Sequence, residues 1–421
     1  MTVMAAPSTP SDPGMGSRQF IGLVAALMAI NALAIDSMLP ALPTIAHSLG
    51  LSHPNQQQWI VTAYLIGFGS AQIFYGTLAD RFGRKPVLLT GISIYVVCSI
   101  AAALATSLET MLIARALQGV GSAATRVLAV SIVRDCYSGS QMARVMSFSF
   151  IVFLAVPIIA PSLGQLIMLV GPWRWIFGAL ALFGLTVMLW STLRLRETLH
   201  PNDRIPIEIH RVWAAYRAAL TNRTAVGYML AMTMMLGGLF GFINSAQQVF
   251  GEVFQAPRLF TAIFALIALF MALSSLLNAR IVGRLGTRRV SHIALLGYIF
   301  FAVVHALVAI CGLETIWSFT ILQAAMMFGF GLVVSNFGSL AMGPLGHLAG
   351  TGSSVQGFVT TLGGALLGFY IGQQFDGTVV PITVGFAALG LAALACVAFA
   401  EKGRLFARHS IVQENEAVAG H

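Results

Sequence analysis

The chain has 421 residues, of which 57% are hydrophobic and 9% are charged, whereas about a quarter of the residues in an ordinary soluble domain are charged. This composition, with a mean hydropathy of +0.85, excludes a soluble globule and indicates a polytopic membrane protein, because hydrocarbon tolerates apolar residues on every face of a helix. The four cysteines form no C-x-x-C pair, and neither lysine follows a glycine. Neither a disulfide framework nor a thiolate metal site is predicted, and the G-x-x-x-x-G-K-[ST] loop of ATP-driven pumps is excluded.

Residues 1–19 are rich in Pro, Ser and Gly and are predicted to be a disordered tail rather than a signal peptide. Apolar stretches of about 20 residues follow, the length that crosses ~30 Å of hydrocarbon as a helix. Twelve such spans are predicted, at 20–42, 57–78, 86–105, 110–132, 144–170, 173–193, 225–250, 259–281, 290–311, 315–340, 352–375 and 379–400. The longest polar break lies between the sixth and seventh spans.

These spans predict an all-α integral membrane protein of twelve transmembrane helices in two six-helix halves. The first half would occupy 20–193 and the second 223–400, with a central loop at 194–222 and a C-terminal tail at 401–421. If the N-terminus is inside, nineteen of the 23 basic residues fall in cytoplasmic segments, two lie outside and two lie within span 4. Short cytoplasmic loops retain Lys and Arg, so both termini and the central loop are predicted to be cytoplasmic. The net charge of +9 then reflects topology and requires no nucleic-acid partner.

Span 1 places Asp36 about two thirds of the way across the membrane. A carboxylate there costs ~2.5–3.5 kcal/mol on insertion scales unless it faces a cavity or pairs with a cation. Its expected partner is Arg115, near the outer end of span 4, and this pair is predicted to couple transport to protons as Asp36 binds and releases one. The alternative is a static ion pair that only holds two helices together.

The sequence GTLADRFGRKP after span 2 places the carboxylate of Asp80 among several cations. Charge pairs of this kind can break and reform between two helix packings, which suits a gate, although an ordinary positive-inside loop is the alternative. The predicted gating residues are Gly76, Asp80, Arg81, Gly83, Arg84 and Lys85. NARIVGRLGTRRV at 278–290 is a weaker copy without an acid, as expected of a carrier built from related halves.

Arg126 follows Arg115 by eleven residues, so both arginines share one helix face with Gly119 and Ser122. Arg126 is predicted to neutralise an acid elsewhere in the bundle or to bind a polar group of the substrate, and not to face lipid.

Span 7 places Phe240, Asn244, Gln247 and Gln248 on one helical stripe, and Gln356 lies in span 11. Amides beside an aromatic ring suit a neutral, planar, hydrogen-bonding solute, so these five residues join Arg126 as the predicted substrate-binding set. Amides that only hold helices together are the alternative. Methionines in span 7 suggest a copper pathway, but no two of them are four residues apart and spans 7 and 8 contain no histidine.

GTLADRFGRKP resembles the G-x-L-a-D-r-x-G-r-[KR] signature of the major facilitator superfamily of secondary transporters. The segment from Arg115 to Gly121 resembles the R-x-x-x-G-x-G sequence that the family associates with proton coupling, and AVPIIAPSLGQLI at 155–167 is similar to the proline-glycine segment of its drug:proton antiporters. The resemblance covers residues 20–403. It implies the major facilitator fold, with two pseudo-symmetric halves around a cavity that opens alternately to either side.

Within the superfamily, the chain resembles the bicyclomycin-resistance (Bcr/CflA) type in DSMLPALP, in the pair Arg134 and Asp135, in NARIVGRLG and in HLAGTGSSVQG. FINSAQQVF and SSVQGFVTTLGGALLGFYIGQQFDGT resemble an uptake subgroup of this type that carries riboflavin or copper. The copper carriers are expected to show His-x-x-x-Met in span 8, where this chain has Ile267 before Met271. Copper uptake is therefore disfavoured.

The sequence and these resemblances predict a proton-coupled transporter of the bacterial inner membrane that carries a small planar organic solute. Riboflavin uptake is the leading hypothesis, and multidrug efflux by drug:proton antiport is the alternative. We expect a monomer whose partners are its substrate, protons and the lipid bilayer, with no cofactor and no metal. The chain contains neither H-E-x-x-H nor G-x-S-x-G, so we do not expect an enzyme.

Overall fold

The computed structural model describes residues 11–204 and 209–406, and in these ranges the regular structure is helical. The helices are α1 (Ser17–Asp36), α2 (Leu42–Ser48), α3 (Gln58–Phe82), α4 (Arg84–Ala103), α5 (Leu108–Cys136), α6 (Gly139–Val170), α7 (Arg174–Arg194), α8 (Ile209–Thr221), α9 (Arg223–Gln248), α10 (Phe260–Leu285), α11 (Thr287–Ile310), α12 (Ile316–Met342), α13 (Ala349–Gln373) and α14 (Val380–Ala400). We name the end of the bundle that carries Ser17, α8 and Ala400 the termini side, and the opposite end the far side.

Twelve of the helices in the described part of the chain contain 20 residues or more. Ten of them are long and apolar enough to cross a membrane, and α6 contributes a shorter apolar stretch, Leu154–Val170. The twelfth, α3, is more polar because it carries Gln58, Thr62 and Gln72, which are buried against the other half of the protein. The predicted all-α fold with twelve spans is confirmed.

The same helix pairs pack together in both halves. The six long helices are α1 and α3 to α7 in the first half, and α9 to α14 in the second. In each set of six, the first helix packs on the fifth, the second packs on the fourth, and the third packs on both the fourth and the sixth. The halves meet mainly where α3 packs along α13 and α6 packs along α10. Gly69 of α3 lies against the backbone of Leu362 in α13, so a larger residue would push the helices apart. The repeated packing confirms two pseudo-symmetric halves.

Span 1 is interrupted rather than continuous. The helix α1 ends at Asp36, a short 3-10 turn covers Leu39–Ala41, and α2 continues the span. Pro40 and Pro43 follow the break, and proline lacks the N–H group that would continue an α-helix. Gly164 of α6 lies against the carbonyl oxygen of Ser37, which leaves no room for a side chain. The break is therefore held by close packing against the proline-glycine segment of α6.

The described part of the N-terminal tail is bound to the bundle. The N–H of Ser11 donates to the carbonyl of Asp135, and the N–H of Arg196 donates to the carbonyl of Pro13. The prediction of disorder up to residue 19 is therefore wrong for residues 11–19, because these backbone groups find partners, and α1 already begins at Ser17. Residues 1–10, residues 205–208 of the predicted loop and residues 407–421 of the predicted tail lie outside the described residues.

Candidate functional site

Asp36 lies at the end of α1, with 5% of its surface exposed. The predicted ion pair with Arg115 is not formed, and the described residues place no other cation in ion-pair contact with Asp36. An ionised carboxylate at this position would lack a compensating charge, so the geometry suits a group that binds a proton while it is buried.

Arg115 is fully buried and binds neutral groups from three helices. Its guanidinium donates to the carbonyls of Ala34 (3.1 Å) and Ile60 (3.2 Å) and to Gln118 Oε1 (2.6 Å), and it lies 4.5 Å from the centre of the Tyr64 ring. Carbonyls near the C-terminus of a helix such as α1 lack donors within the helix and attract cations. Arg115 therefore joins α1, α3 and α5 instead of pairing with Asp36.

Arg126 is exposed although its side of α5 faces the interior of the bundle. Nine residues separate it from Leu117, so the two side chains project from opposite faces, and Leu117 is exposed on the outer surface. Ser122, on the same face as Arg126, is fully buried, and Gly119 lies against the backbone of Tyr64. The exposure of Arg126 therefore reports a water-accessible space inside the bundle, in the part of α5 nearer the termini side.

The far side is closed by hydrogen bonds between the halves. Gln58 Nε2 donates to Gln248 Oε1 (2.6 Å) and to the carbonyl of Gly372 (2.9 Å), and Gln248 Nε2 donates to Asn55 Oδ1 (2.8 Å). Gln373 Nε2 donates to Gln58 Oε1 (3.1 Å) and to the carbonyl of Asn55 (2.9 Å). We name Asn55, Gln58, Gln248 and Gln373 the far-side amide network. It joins two residues of the first half to two of the second.

The predicted substrate-binding stripe of α9 forms part of this closure. Gln248 belongs to the network, and Asn244 Nδ2 donates to Thr62 Oγ1 across the two halves (3.3 Å). Phe240 packs on Gly368 of α13, and Gln247 is buried beside a small cavity of the far side. In this conformation Phe240, Asn244 and Gln248 contact α3 or α13, as the alternative of amides that hold helices together describes. The role of the four residues in substrate binding stays a prediction.

The two remaining predicted binding residues differ in exposure. Gln356 is partly buried in α13, and its amide contacts Met232 Sδ and the carbonyl of Gly338, both at 3.5 Å. Of the six, only Arg126 is exposed. The described residues contain no group of three or more His, Cys, Asp or Glu side chains placed to hold a metal ion.

The loop between α3 and α4 is clamped by acids from distant segments. Arg84 is buried and pairs with Asp80 (2.5 Å) and with Asp135 at the end of α5 (2.9 Å). The Glu197 carboxylate accepts the N–H groups of Arg84 and Lys85 at the start of α4 (2.8 and 3.1 Å), where a helix has unsatisfied donors. Glu197 was not predicted from the sequence, and Asp135 was recognised only through a family resemblance.

The other predicted gating residues lie around this clamp. Gly83 adopts a positive φ of 102°, which favours glycine at the tight turn. Lys85 Nζ donates to the carbonyl of Thr192 (2.9 Å), and Arg81 is exposed. Gly76 lies beside Ser354 of α13, in the other half. The residues are thus brought together, while their role in gating stays a prediction.

The second half contains the matching clamp, although its loop has no acid. Gly286 repeats the positive φ of Gly83, at 83°. Arg288 Nε lies 2.8 Å from Glu401 Oε1, just after α14, and Tyr228 donates to the same oxygen (2.7 Å). The missing acid is therefore supplied by Glu401, 113 residues away along the chain. The two halves therefore match: Glu197, just after α7, binds the start of α4, and Glu401, just after α14, binds Arg288 at the start of α11.

Known proteins resemble this chain over most of its length. The sequence profile of the Major Facilitator Superfamily matches residues 24–368. A bicyclomycin resistance protein homolog of Haemophilus influenzae is 27% identical over 364 residues, covering 86% of this chain and 91% of the relative. Multidrug resistance protein MdtL of Escherichia fergusonii is 28% identical over 395 residues, covering 93% and 97%.

Among solved structures, the POT family transporter PepTSo superposes with a TM-score of 0.71 at 16% identity, covering 94% of this chain and 99% of that one. This likeness concerns the fold alone. The match to the profile confirms the resemblance read from GTLADRFGRKP, and the two relatives confirm the bicyclomycin-resistance type. The chain belongs to the Major Facilitator Superfamily, and it is a multi-pass membrane transporter.

Proposed function

We propose that this protein exports small organic drugs by exchanging them for protons across the bacterial inner membrane. The observation that carries the proposal is the buried carboxylate of Asp36, without a cation partner, at a break in α1. The bicyclomycin-resistance and multidrug-resistance names of relatives that align over 86% and 93% of this chain support drugs as the substrate class.

Riboflavin uptake, the leading hypothesis from the sequence, loses its structural argument. It rested on a resemblance to an uptake subgroup and on amides of α9 that suit a planar solute, and in this conformation Asn244 and Gln248 are bonded to the first half of the protein. The named relatives also point away from vitamin uptake. Drug:proton antiport, the alternative from the sequence, becomes the main proposal.

The proposed cycle starts from the conformation described above, with the termini side facing the cytoplasm. A substrate enters the space lined by Arg126, whose exposed guanidinium binds a polar group of the drug. Asp36 releases its proton to the cytoplasm. The termini side then closes, the far-side amide network separates, and the drug leaves as Asp36 takes a proton from outside. One proton enters for each drug released, and one chain supplies both halves, so a monomer suffices.

The test is drug efflux from proteoliposomes under an imposed pH gradient, with Asp36→Asn as the test variant and Glu109→Gln as a matched control. Glu109 is an exposed acid in the first turn of α5. We expect Asp36→Asn to lower gradient-driven efflux of a fluorescent dye by about 100-fold or more, and Glu109→Gln to leave it unchanged. Wild-type efflux in Asp36→Asn would refute proton coupling through this residue. Saturable uptake of labelled riboflavin without dye efflux would refute drug export.

A further inference from the structure

The second half contains a buried acid and base that the proposed cycle does not use. His305 lies near the far-side end of α11, and Glu314 lies in the connection to α12. His305 Nε2 and Glu314 Oε2 are 3.6 Å apart, with side-chain exposures of 0% and 6%. Neither ring nitrogen of His305 has a hydrogen-bond partner, and Glu314 Oε2 has none. Burial raises the pKa of Glu314 above its ordinary value.

The imidazole has apolar surroundings, whereas the other carboxylate oxygen, Glu314 Oε1, accepts a hydrogen bond from Ser318 (2.8 Å). The His305 ring packs 5.0 Å from Phe319 of α12 and 6.5 Å from Phe386 of α14. The charged or titratable groups that the described contacts place around the imidazole are Glu314 and, two turns away on α11, Tyr298. A lone charge is costly in such a site. The pair therefore holds one proton between its two members, so that its net charge is zero whichever of them carries the proton.

A line of buried polar groups leads inward from this pair. Gln323 follows Phe319 by one turn of α12, and both of its amide atoms lack a partner. The Tyr298 hydroxyl lacks a partner and lies beside Gly238 of α9. At 1.5 Å per residue, Gln323 lies about 6 Å and Tyr298 about 10 Å deeper than His305. Buried polar atoms without protein partners commonly bind internal water.

We propose that His305 and Glu314 form a proton relay that connects the far side to internal water in the second half, along Gln323 and Tyr298. The cycle starts with the proton on the Glu314 carboxyl and a neutral His305 that carries its own proton on Nδ1. The carboxyl O–H bond breaks as His305 Nε2 takes that proton. The Nδ1–H bond then breaks as this proton passes to water beside Gln323, while the Glu314 carboxylate takes a new proton from far-side water. One proton enters and one leaves, the pair keeps a net charge of zero, and a flip of the neutral ring restores the starting arrangement. The role of the relay in transport rests on the proposed proton antiport, whereas its existence does not.

The existence of the relay is tested by proton binding in the purified full-length protein, independently of transport. The nitrogen NMR signal of His305 is identified as the one missing from His305→Gln. We expect its titration midpoint to move by about one pH unit or more in Glu314→Gln, and to stay in place in Glu109→Gln. A His305 signal that does not titrate, or that ignores Glu314→Gln, would overturn the relay.

Its role is tested with two transport measurements. We expect His305→Gln and Glu314→Gln to slow pH-gradient-driven efflux at least about tenfold, while exchange of substrate at equal pH on both sides stays within about twofold of wild type, because exchange needs no net proton movement. His47→Gln, on the exposed surface of α2, should leave both rates unchanged. Gln323→Leu retains the acid and base and should slow gradient-driven efflux in the same way if His305→Gln does not fold. Wild-type gradient-driven rates in Glu314→Gln and Gln323→Leu would overturn the role.

Discussion

The far side and the termini side of this bundle are held by contacts of different chemistry. At the far side, the hydrogen bonds between the halves in the described part of the chain join neutral groups, such as Gln58 with Gln248 and Asn244 with Thr62. At the termini side, charged groups clamp the loops within each half, as Arg84 does with Asp135 and Arg288 with Glu401. A neutral hydrogen bond contributes about 0.5–1.5 kcal/mol net, whereas breaking a buried charge pair costs about 3–5 kcal/mol. The far-side bonds, which must separate when the halves move apart, are therefore weaker than the charge pairs that hold the loops within each half.

The largest expected effect comes from removing the cation of the first clamp. Arg84→Ala leaves Asp135, 15% exposed, without its partner, so we expect the free energy of unfolding to fall by about 3–5 kcal/mol. Thermal unfolding in detergent measures this change, and Arg81→Ala, at an exposed neighbouring arginine, is the control. Equal melting temperatures for the two variants would contradict the contrast between the two sides.

The next effect concerns the balance between conformations. Gln58→Leu removes two donated bonds and one accepted bond between the halves, which lowers the stability of far-side closure by about 1.5–4.5 kcal/mol. The population open at the far side should rise at least about tenfold. Spin labels on cysteines at Glu109 and Leu313, in a background without the native cysteines, report the distance across the far side. Unchanged distance distributions would show that the amide network does not hold this side closed.

A smaller effect is expected in the second clamp. Glu401→Gln removes the charge that faces Arg288 and Tyr228 but keeps the shape of the side chain. We expect the free energy of unfolding to fall by about 1–3 kcal/mol, against no change in Glu109→Gln. If Glu401→Gln unfolds at the wild-type temperature, the two halves do not share the same clamp.

The smallest effect is expected where charges meet at the surface. Arg196 and Asp12 form an ion pair at 3.0 Å with side chains 71% and 70% exposed. Exposed pairs contribute about 0–1 kcal/mol, so Arg196→Ala should change the melting temperature little, and added salt should reduce even that difference. A loss as large as that of Arg84→Ala would mean that the N-terminal segment stabilises the bundle as strongly as the buried clamp.

The fold was predictable from the sequence because hydrocarbon requires a minimum length of apolar helix, and twelve such lengths can be read directly. The face of Arg126 was also predictable, since eleven residues return to the same side of a helix. The rotation of α9 was not, because amides at helical spacing suit a solute and a neighbouring helix equally well. Glu401 was missed because it meets Arg288 only through the packing of α11 and α14, which no local pattern records.

The composition of the far-side amide network has a consequence for how the protein senses its surroundings. Carboxamides do not ionise in the physiological pH range, and hydrogen bonds between neutral groups are little affected by ionic strength. The closure of the far side is therefore indifferent to the acidity and the salt of the medium it faces. A change outside must reach the interior through an ionisable side chain before this closure can respond, so the bundle separates the group that detects a proton from the contacts that open.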